Sequence, residues 1–195
     1  MNYLAHALLS GPDDELRLGN FLGDFVKGRV ENYRGPHVTE RLREGIRLHR
    51  AIDSFTDQHS TVRRSKARLS ARYGLRSGVI VDLAYDHFLA KAWDEFETVS
   101  LNEFSTNYFY LLKTNLFRVD PVLHPLVSAM SQQNWLVGYA RLDGLERALA
   151  GMARRFPVAT GIETAGEVIR ADYAGFEADF REFFPLIFEF CRAYW

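Results

Sequence analysis

The sequence has very little cysteine and no long uncharged hydrophobic run. Cys191 is its only cysteine, so no disulfide can form within the chain and a site in which several thiolates hold zinc is excluded. No apolar segment approaches the roughly 20 residues needed to cross a bilayer, and the first residues lack the basic region of a signal peptide. We therefore expect a cytoplasmic protein with no membrane partner.

Three common enzyme motifs are also missing. There is no Gly-x-x-x-x-Gly-Lys-Ser/Thr phosphate loop, no Gly-x-Gly-x-x-Gly dinucleotide loop and no Gly-x-Ser-x-Gly nucleophile turn. The formal net charge of −1 gives no general attraction to nucleic acid, so we expect no nucleic-acid partner.

Acidic residues are absent between Asp57 and Asp82. Six cations fall in that gap, namely Arg63, Arg64, Lys66, Arg68, Arg72 and Arg76. A basic stretch in a nearly neutral protein predicts either a solvated helix face or a docking surface for an acidic partner or a phosphate. The sequence leaves both interpretations open.

Helical periodicity dominates the chain and strand signals are scarce. The predicted helices cover residues 2–9, 14–29, 40–59, 60–74, 77–96 and 101–119, followed by shorter helices over 121–155 and a last helix over 163–194 that Pro185 kinks or breaks. No internal repeat or linker divides the chain. We predict an all-α, single-domain helical bundle over residues 1–195.

Histidines and carboxylates recur at the spacing of helix neighbours. His49 and Asp53 are four residues apart and share a helix face, while Asp86 and His87 are adjacent in an apolar helix. Asp24 lies one turn after Asn20. Imidazole with carboxylate suits a divalent metal that polarises a phosphate or activates a water. The alternative is that nearby arginines neutralise these carboxylates as ordinary salt bridges.

Several ordered segments, taken together, resemble a known family. They are MNYLAH at 1–6, GNFLGDFVKG at 19–28, GIRLHRAID at 45–53, YDHFL at 85–89, NWL at 134–136 and GMARR at 151–155. The sequence resembles the acyl carrier protein phosphodiesterases, also called ACP hydrolases, through most of its length. That family is regarded as a divergent relative of the HD phosphohydrolases, so the resemblance implies an HD-domain-like fold.

The resemblance implies hydrolysis of the phosphodiester that joins 4′-phosphopantetheine to a serine of holo-acyl carrier protein, with Mn²⁺ or Mg²⁺ as cofactor. In that reaction, the expected metal-ligating and catalytic residues are Asp24, His49, Asp53, Asp86 and His87. The expected substrate-binding residues are Asn20, Arg50, Arg64, Arg68 and Arg154, and His6 is a further candidate for orienting a ligand or water. We expect alanine at Asp24 or Asp86 to abolish turnover without unfolding the protein.

Other functions stay open at this point. One alternative is an HD-type hydrolase that acts on a small phosphoester, such as a nucleotide, and has no protein partner. A non-catalytic module that binds carrier protein is a second alternative, and a helical scaffold with buried salt bridges is a third.

Overall fold

The computed structural model describes residues 1–155 and 161–195, and its regular structure is helical. The α-helices are α1 (Tyr3–Leu9), α2 (Asp14–Leu22), α3 (Glu40–Gln58), α4 (Ser60–Tyr73), α5 (Ser77–Lys91), α6 (Leu101–Thr114), α7 (His124–Gln132), α8 (Trp135–Gly138), α9 (Leu142–Arg155), α10 (Ala165–Ala171) and α11 (Tyr173–Arg192). The described residues contain no strand, which confirms the all-α prediction.

Helix α2 ends at Leu22, seven residues before the predicted end. The carbonyl oxygen of Val26 accepts a hydrogen bond from the guanidinium of Arg50 at 2.9 Å. Gly28 adopts a φ of 76°, a left-handed conformation that a right-handed helix cannot contain. The segment after α2 is therefore a loop whose path is fixed partly by α3.

The predicted last helix is two helices in the structure. Asp172 separates α10 from α11, whereas Pro185 lies inside α11 without ending it. A proline in a helix interior removes one hydrogen bond and costs about 3 kcal/mol. The buried side chains of Phe183, Phe184 and Ile187 around it offset that cost through packing.

One continuous set of buried apolar side chains runs from α1 to α11. Helix α5 lies at its centre, since eleven of its residues are buried and α1, α4, α9 and α11 all pack against it. Phe88 of α5 lies 5.9 Å, ring to ring, from Phe180 of α11. Within the described part of the chain, none of the helices combines the length and apolar character that crossing a bilayer requires.

Two glycines allow α2 and α3 to cross at very short range. A Cβ on Gly19 would lie 2.0 Å from the carbonyl oxygen of Leu42, and one on Gly45 would lie 2.5 Å from the carbonyl oxygen of Leu16. Both obstacles are backbone atoms, so a larger side chain at either position would force the helices apart. This close contact brings Asn20 of α2 next to His49 of α3.

Candidate metal centre

Three side chains from two helices bring their ligand atoms together. The Nε2 atoms of His6 (α1) and His49 (α3) lie 3.3 and 3.2 Å from the two carboxylate oxygens of Asp53, also on α3. The imidazole rings are stacked with centroids 4.1 Å apart. The group forms a set of potential metal ligands whose atoms all lie within 4.8 Å of one another.

Asn20 determines how both imidazoles are oriented. Its Nδ2 donates to the carbonyl oxygen of His6 (3.2 Å) and to Ser10 Oγ (2.8 Å), and Ser10 Oγ donates in turn to the same carbonyl. The amide oxygen is therefore the atom that faces both rings, at 2.8 Å from His6 Nδ1 and 3.1 Å from His49 Nδ1. An amide oxygen only accepts, so each Nδ1 carries the proton and donates it.

This arrangement leaves an electrostatic problem at the Nε2 atoms. With Nδ1 protonated, a neutral imidazole presents the lone pair of Nε2, and here two such lone pairs face one carboxylate. The imidazoles are almost completely buried, whereas the carboxylate of Asp53 is 45% exposed. Lone pairs and an anion so placed repel each other unless a proton or a cation lies between them.

The pKa shifts of the two histidines differ in direction. Burial and the charge of neighbouring His49 lower the pKa of His6, although Asp53 opposes them. Burial also lowers the pKa of His49, but hydrogen bonds to Asp24 and Asp53 outweigh it and raise that pKa to about 9. A proton therefore resolves the repulsion at His49 and not at His6, where a divalent cation is the better occupant. The residues fit a metal in both geometry and donor chemistry.

Asp24 lies at the solvent-facing edge of this group. Its Oδ1 is 3.5 Å from His49 Nε2, and its side chain is 50% exposed. Burial opposes ionisation, but the hydrogen bond to His49 prevails and the pKa of Asp24 is lowered. The preceding Gly23 makes this approach possible, because a Cβ there would lie 2.2 Å from His49 Cγ. The carboxylates thus face solvent while the imidazoles lie behind them.

The structure places Asp86 outside the group of converging ligands. This residue is fully buried, and its carboxylate accepts the backbone N–H groups of Leu4 (2.8 Å), Ala5 (3.2 Å) and Asn2 (3.3 Å). These are orphan donors at the start of α1, where the Asn2 side chain makes no capping bond. Burial raises the pKa of Asp86 to about 7 despite these hydrogen bonds. Asp86 therefore caps the helix that carries His6.

His87 also lies outside the group. Its Nδ1 donates to the carbonyl oxygen of Tyr139 at 2.7 Å, and its Nε2 is 2.8 Å from the hydroxyl of Tyr173. Lys91 donates to the same hydroxyl at 2.8 Å. Both ring nitrogens are thus engaged in a network that joins α5 to α11.

The four predicted substrate-binding arginines lie in other settings. Arg50 holds the loop after α2 through the Val26 carbonyl, and Arg154 is exposed on α9. On α4, Arg64 pairs with Asp179 and Glu182, while Arg68 pairs with Asp172 and Asp179. Asp179 is 1% exposed, so Arg64 and Arg68 compensate a buried charge at the α4–α11 contact. Two of the six cations in the basic stretch thus join α4 to α11.

His6 is a potential ligand that the sequence indicated only as a residue orienting a ligand or water. It lies in a fully buried helix, where an isolated histidine is more often structural. The signal that identifies it is spatial, because a single buried amide bridges both imidazoles. Asn20 itself, expected at the substrate, instead lies behind the rings at 1% exposure.

Replacing Asn20 with alanine should weaken Mn²⁺ binding by about 10–100-fold, the usual cost of losing a residue that orients a metal ligand. Without the shared acceptor, each ring is free to rotate or change tautomer. Calorimetric titration with Mn²⁺ measures the effect, and Asn107→Ala on the exposed face of α6 is the control. Equal affinities in the two variants would show that Asn20 does not orient the ligands.

A large cavity adjoins the group at Asp24. Its volume is about 1580 Å³, and it extends between the loop after α2, the turn between α4 and α5, and the turn that precedes α7. Its lining is mixed: Phe25, Val79 and Leu123 contribute apolar surface, and Lys27 contributes a cation. A substrate bound in this cavity would reach Asp24, the carboxylate of the group that lines it.

Comparison with known proteins identifies the family of the chain. A family model described as acyl carrier protein phosphodiesterase matches residues 1–187. The chain is similar to two relatives that are named acyl carrier protein phosphodiesterase. The relative from Photorhabdus laumondii is 34% identical over 97% of this chain and 94% of its own length. The relative from Serratia proteamaculans is 32% identical over 95% of this chain and 94% of its own length. No solved structure matches the chain, so the HD-domain-like arrangement stays a prediction. The chain belongs to the acyl carrier protein phosphodiesterase family, whose members are named as phosphoric diester hydrolases.

Proposed function

We propose that this protein hydrolyses the phosphodiester between 4′-phosphopantetheine and a serine of holo-acyl carrier protein, releasing apo-carrier protein and free 4′-phosphopantetheine. The observation that carries the proposal is the convergence of two imidazole Nε2 atoms on one carboxylate beside a large cavity. Family membership supplies the substrate, and the donor set supports a divalent metal.

We further propose Mn²⁺ or Mg²⁺ as the cofactor, held by His6, His49 and Asp53. Two nitrogen ligands and one carboxylate favour Mn²⁺, because Mg²⁺ prefers oxygen ligands. When bound, such an ion neutralises charge on the phosphoryl oxygens and lowers the pKa of water. Asp86 and His87 are left out of this proposed ligand set because their polar atoms are engaged elsewhere.

Three further residues have separate roles in the proposed reaction. Asn20 keeps both imidazoles in the tautomer that binds a cation. The carboxylate of Asp24 is half exposed and held ionised. It is placed to accept a proton from a water molecule while the oxygen of that water attacks phosphorus. The bond from phosphorus to the serine oxygen breaks, and that oxygen takes up a proton. Lys27, which lines the cavity, supplies positive charge near the phosphoryl group.

The direct test is to incubate purified protein with holo-carrier protein and Mn²⁺ and to weigh the carrier by intact mass spectrometry. Loss of the phosphopantetheine mass supports the proposal. Turnover of nucleotides or small phosphoesters without that loss supports the smaller-substrate alternative. Binding of the carrier without turnover of any substrate supports a non-catalytic module.

Mn²⁺ binding should tighten as pH rises toward about 9. The metal-free His49 has a pKa raised to about 9, so near neutral pH its Nε2 carries a proton that the ion must displace. Displacing one proton makes affinity rise about tenfold per pH unit below that pKa and level off above it. Titrations between about pH 6 and pH 8 test this prediction. An affinity that does not change over this range would show that no imidazolium proton is displaced.

A further inference from the structure

The rim of the cavity carries exposed aliphatic side chains that the folded chain leaves without cover. Leu75, in the turn between α4 and α5, is 103% exposed, and Val122, in the turn before α7, is 74% exposed. Both line the same cavity although they are far apart in sequence. Single exposed aliphatic residues are common, but two on facing sides of one opening form an apolar contact surface.

Two exposed cations lie on the same rim. Lys27 is exposed and, among the described residues, donates to the carbonyl oxygen of Asp24. Arg72 makes an exposed ion pair with Glu167 at 3.4 Å, which solvent screens, and its guanidinium lies 5.5 Å from the centre of the Tyr73 ring. Of the acids that line the cavity, Asp82 pairs with the amino group of Met1 at 2.8 Å, and Asp120 accepts the backbone N–H of Val122.

This rim differs from the basic stretch of α4 that the sequence singled out. Lys66 pairs with Asp57, and Arg64 and Arg68 pair with α11, so their charges are compensated within the molecule. Only the C-terminal end of the stretch reaches the cavity. Apolar contacts and exposed cations therefore coincide at the opening through which a long substituent on a substrate would have to enter.

We infer that an acidic carrier protein docks on this rim, with Leu75 and Val122 against its surface and Arg72 facing its carboxylates, while its phosphodiester-linked arm enters the cavity past Lys27 toward Asp24. This inference rests on the proposed function. A docked carrier protein would cover the apolar side chains. The cations would guide its approach and set its orientation relative to the cavity.

Two rim variants test the inference, the double variant Leu75→Ser/Val122→Ser and Arg72→Ala. Each should raise the KM for holo-carrier protein and the Kd for apo-carrier protein, about tenfold for the double variant and severalfold for Arg72→Ala. Hydrolysis of bis-p-nitrophenyl phosphate, a small diester with no protein portion, should stay unchanged. Leu186→Ser on α11 and Arg63→Ala on α4 are matched controls, since both residues are exposed and do not line the cavity.

The outcomes separate the docking surface from the chemistry. Carrier turnover with KM unchanged in the rim variants, or an equal effect in the control variants, would overturn the docking surface and leave the proposed function standing. Apo-carrier binding that the rim variants weaken, without turnover of holo-carrier, would support the surface and reject the proposed function. A wild-type protein that neither binds nor turns over carrier would reject both.

Discussion

Replacing His49 with alanine is expected to lower kcat/KM for holo-carrier protein by on the order of a thousandfold or more. This imidazole touches both carboxylates of the site and shares Asn20 with His6. Its loss removes one of three metal ligands and also leaves Asp24 without its partner. Intact-mass kinetics with saturating Mn²⁺ measure the effect, and Mn²⁺ titration should show weakened binding in parallel.

The matched control is His37→Ala, which removes an exposed imidazole in the loop before α3. That variant should keep full activity and full Mn²⁺ affinity. Circular dichroism and thermal unfolding must show that His49→Ala is folded, since the buried ring also fills space against Gly23. A folded His49→Ala protein that retains more than about a tenth of wild-type kcat/KM would remove His49 from the proposed ligand set.

The second large effect is expected on stability. Asp86→Ala should lower the free energy of unfolding by about 3 kcal/mol or more, because two fully buried backbone N–H groups and a third partly buried one lose their acceptor at about 1–3 kcal/mol each. Truncation of a buried side chain also leaves a cavity. Urea unfolding followed by circular dichroism measures the change.

The exposed Asp94→Ala just after α5 is the control and should unfold like the wild type. Loss of activity in Asp86→Ala should accompany loss of structure, since α1 carries His6. The opposite pattern, a variant of native stability without turnover, would return Asp86 to the catalytic residues and contradict its role as a cap.

The sequence was sufficient for the fold class and for part of the site. Helical periodicity reports local burial, so most helices lie where predicted, and the spacing of His49 and Asp53 pointed to two of the three side chains that converge in the candidate site. The end of α2 was mispredicted because a remote arginine, Arg50, binds the loop that follows, and periodicity contains no information about such contacts.

The remaining differences between the predicted and the observed placement of residues concern partners that are distant in sequence. Asp86 and His87 have the residue types of metal ligands, but α1 supplies three N–H donors to Asp86, and the Tyr139 carbonyl and the Tyr173 hydroxyl flank His87. Arg64 and Arg68 appeared available because their acidic partners lie more than a hundred residues later in the chain. Residue type indicated possible chemistry, and the packing of distant helices decided which residues are placed to carry it.

The amide of Asn20 joins α2 to residues of both α1 and α3, so all three helices meet at one small polar centre inside an otherwise apolar bundle. An ion bound on the opposite side of the two imidazoles, at their Nε2 atoms and Asp53, would act as a cross-link between α1 and α3. Chelator-treated protein should therefore melt at a lower temperature than the Mn²⁺-loaded form, because an ion that binds only the native state shifts the unfolding equilibrium. The concentration of available metal would then control the stability of the folded protein as well as its rate of turnover.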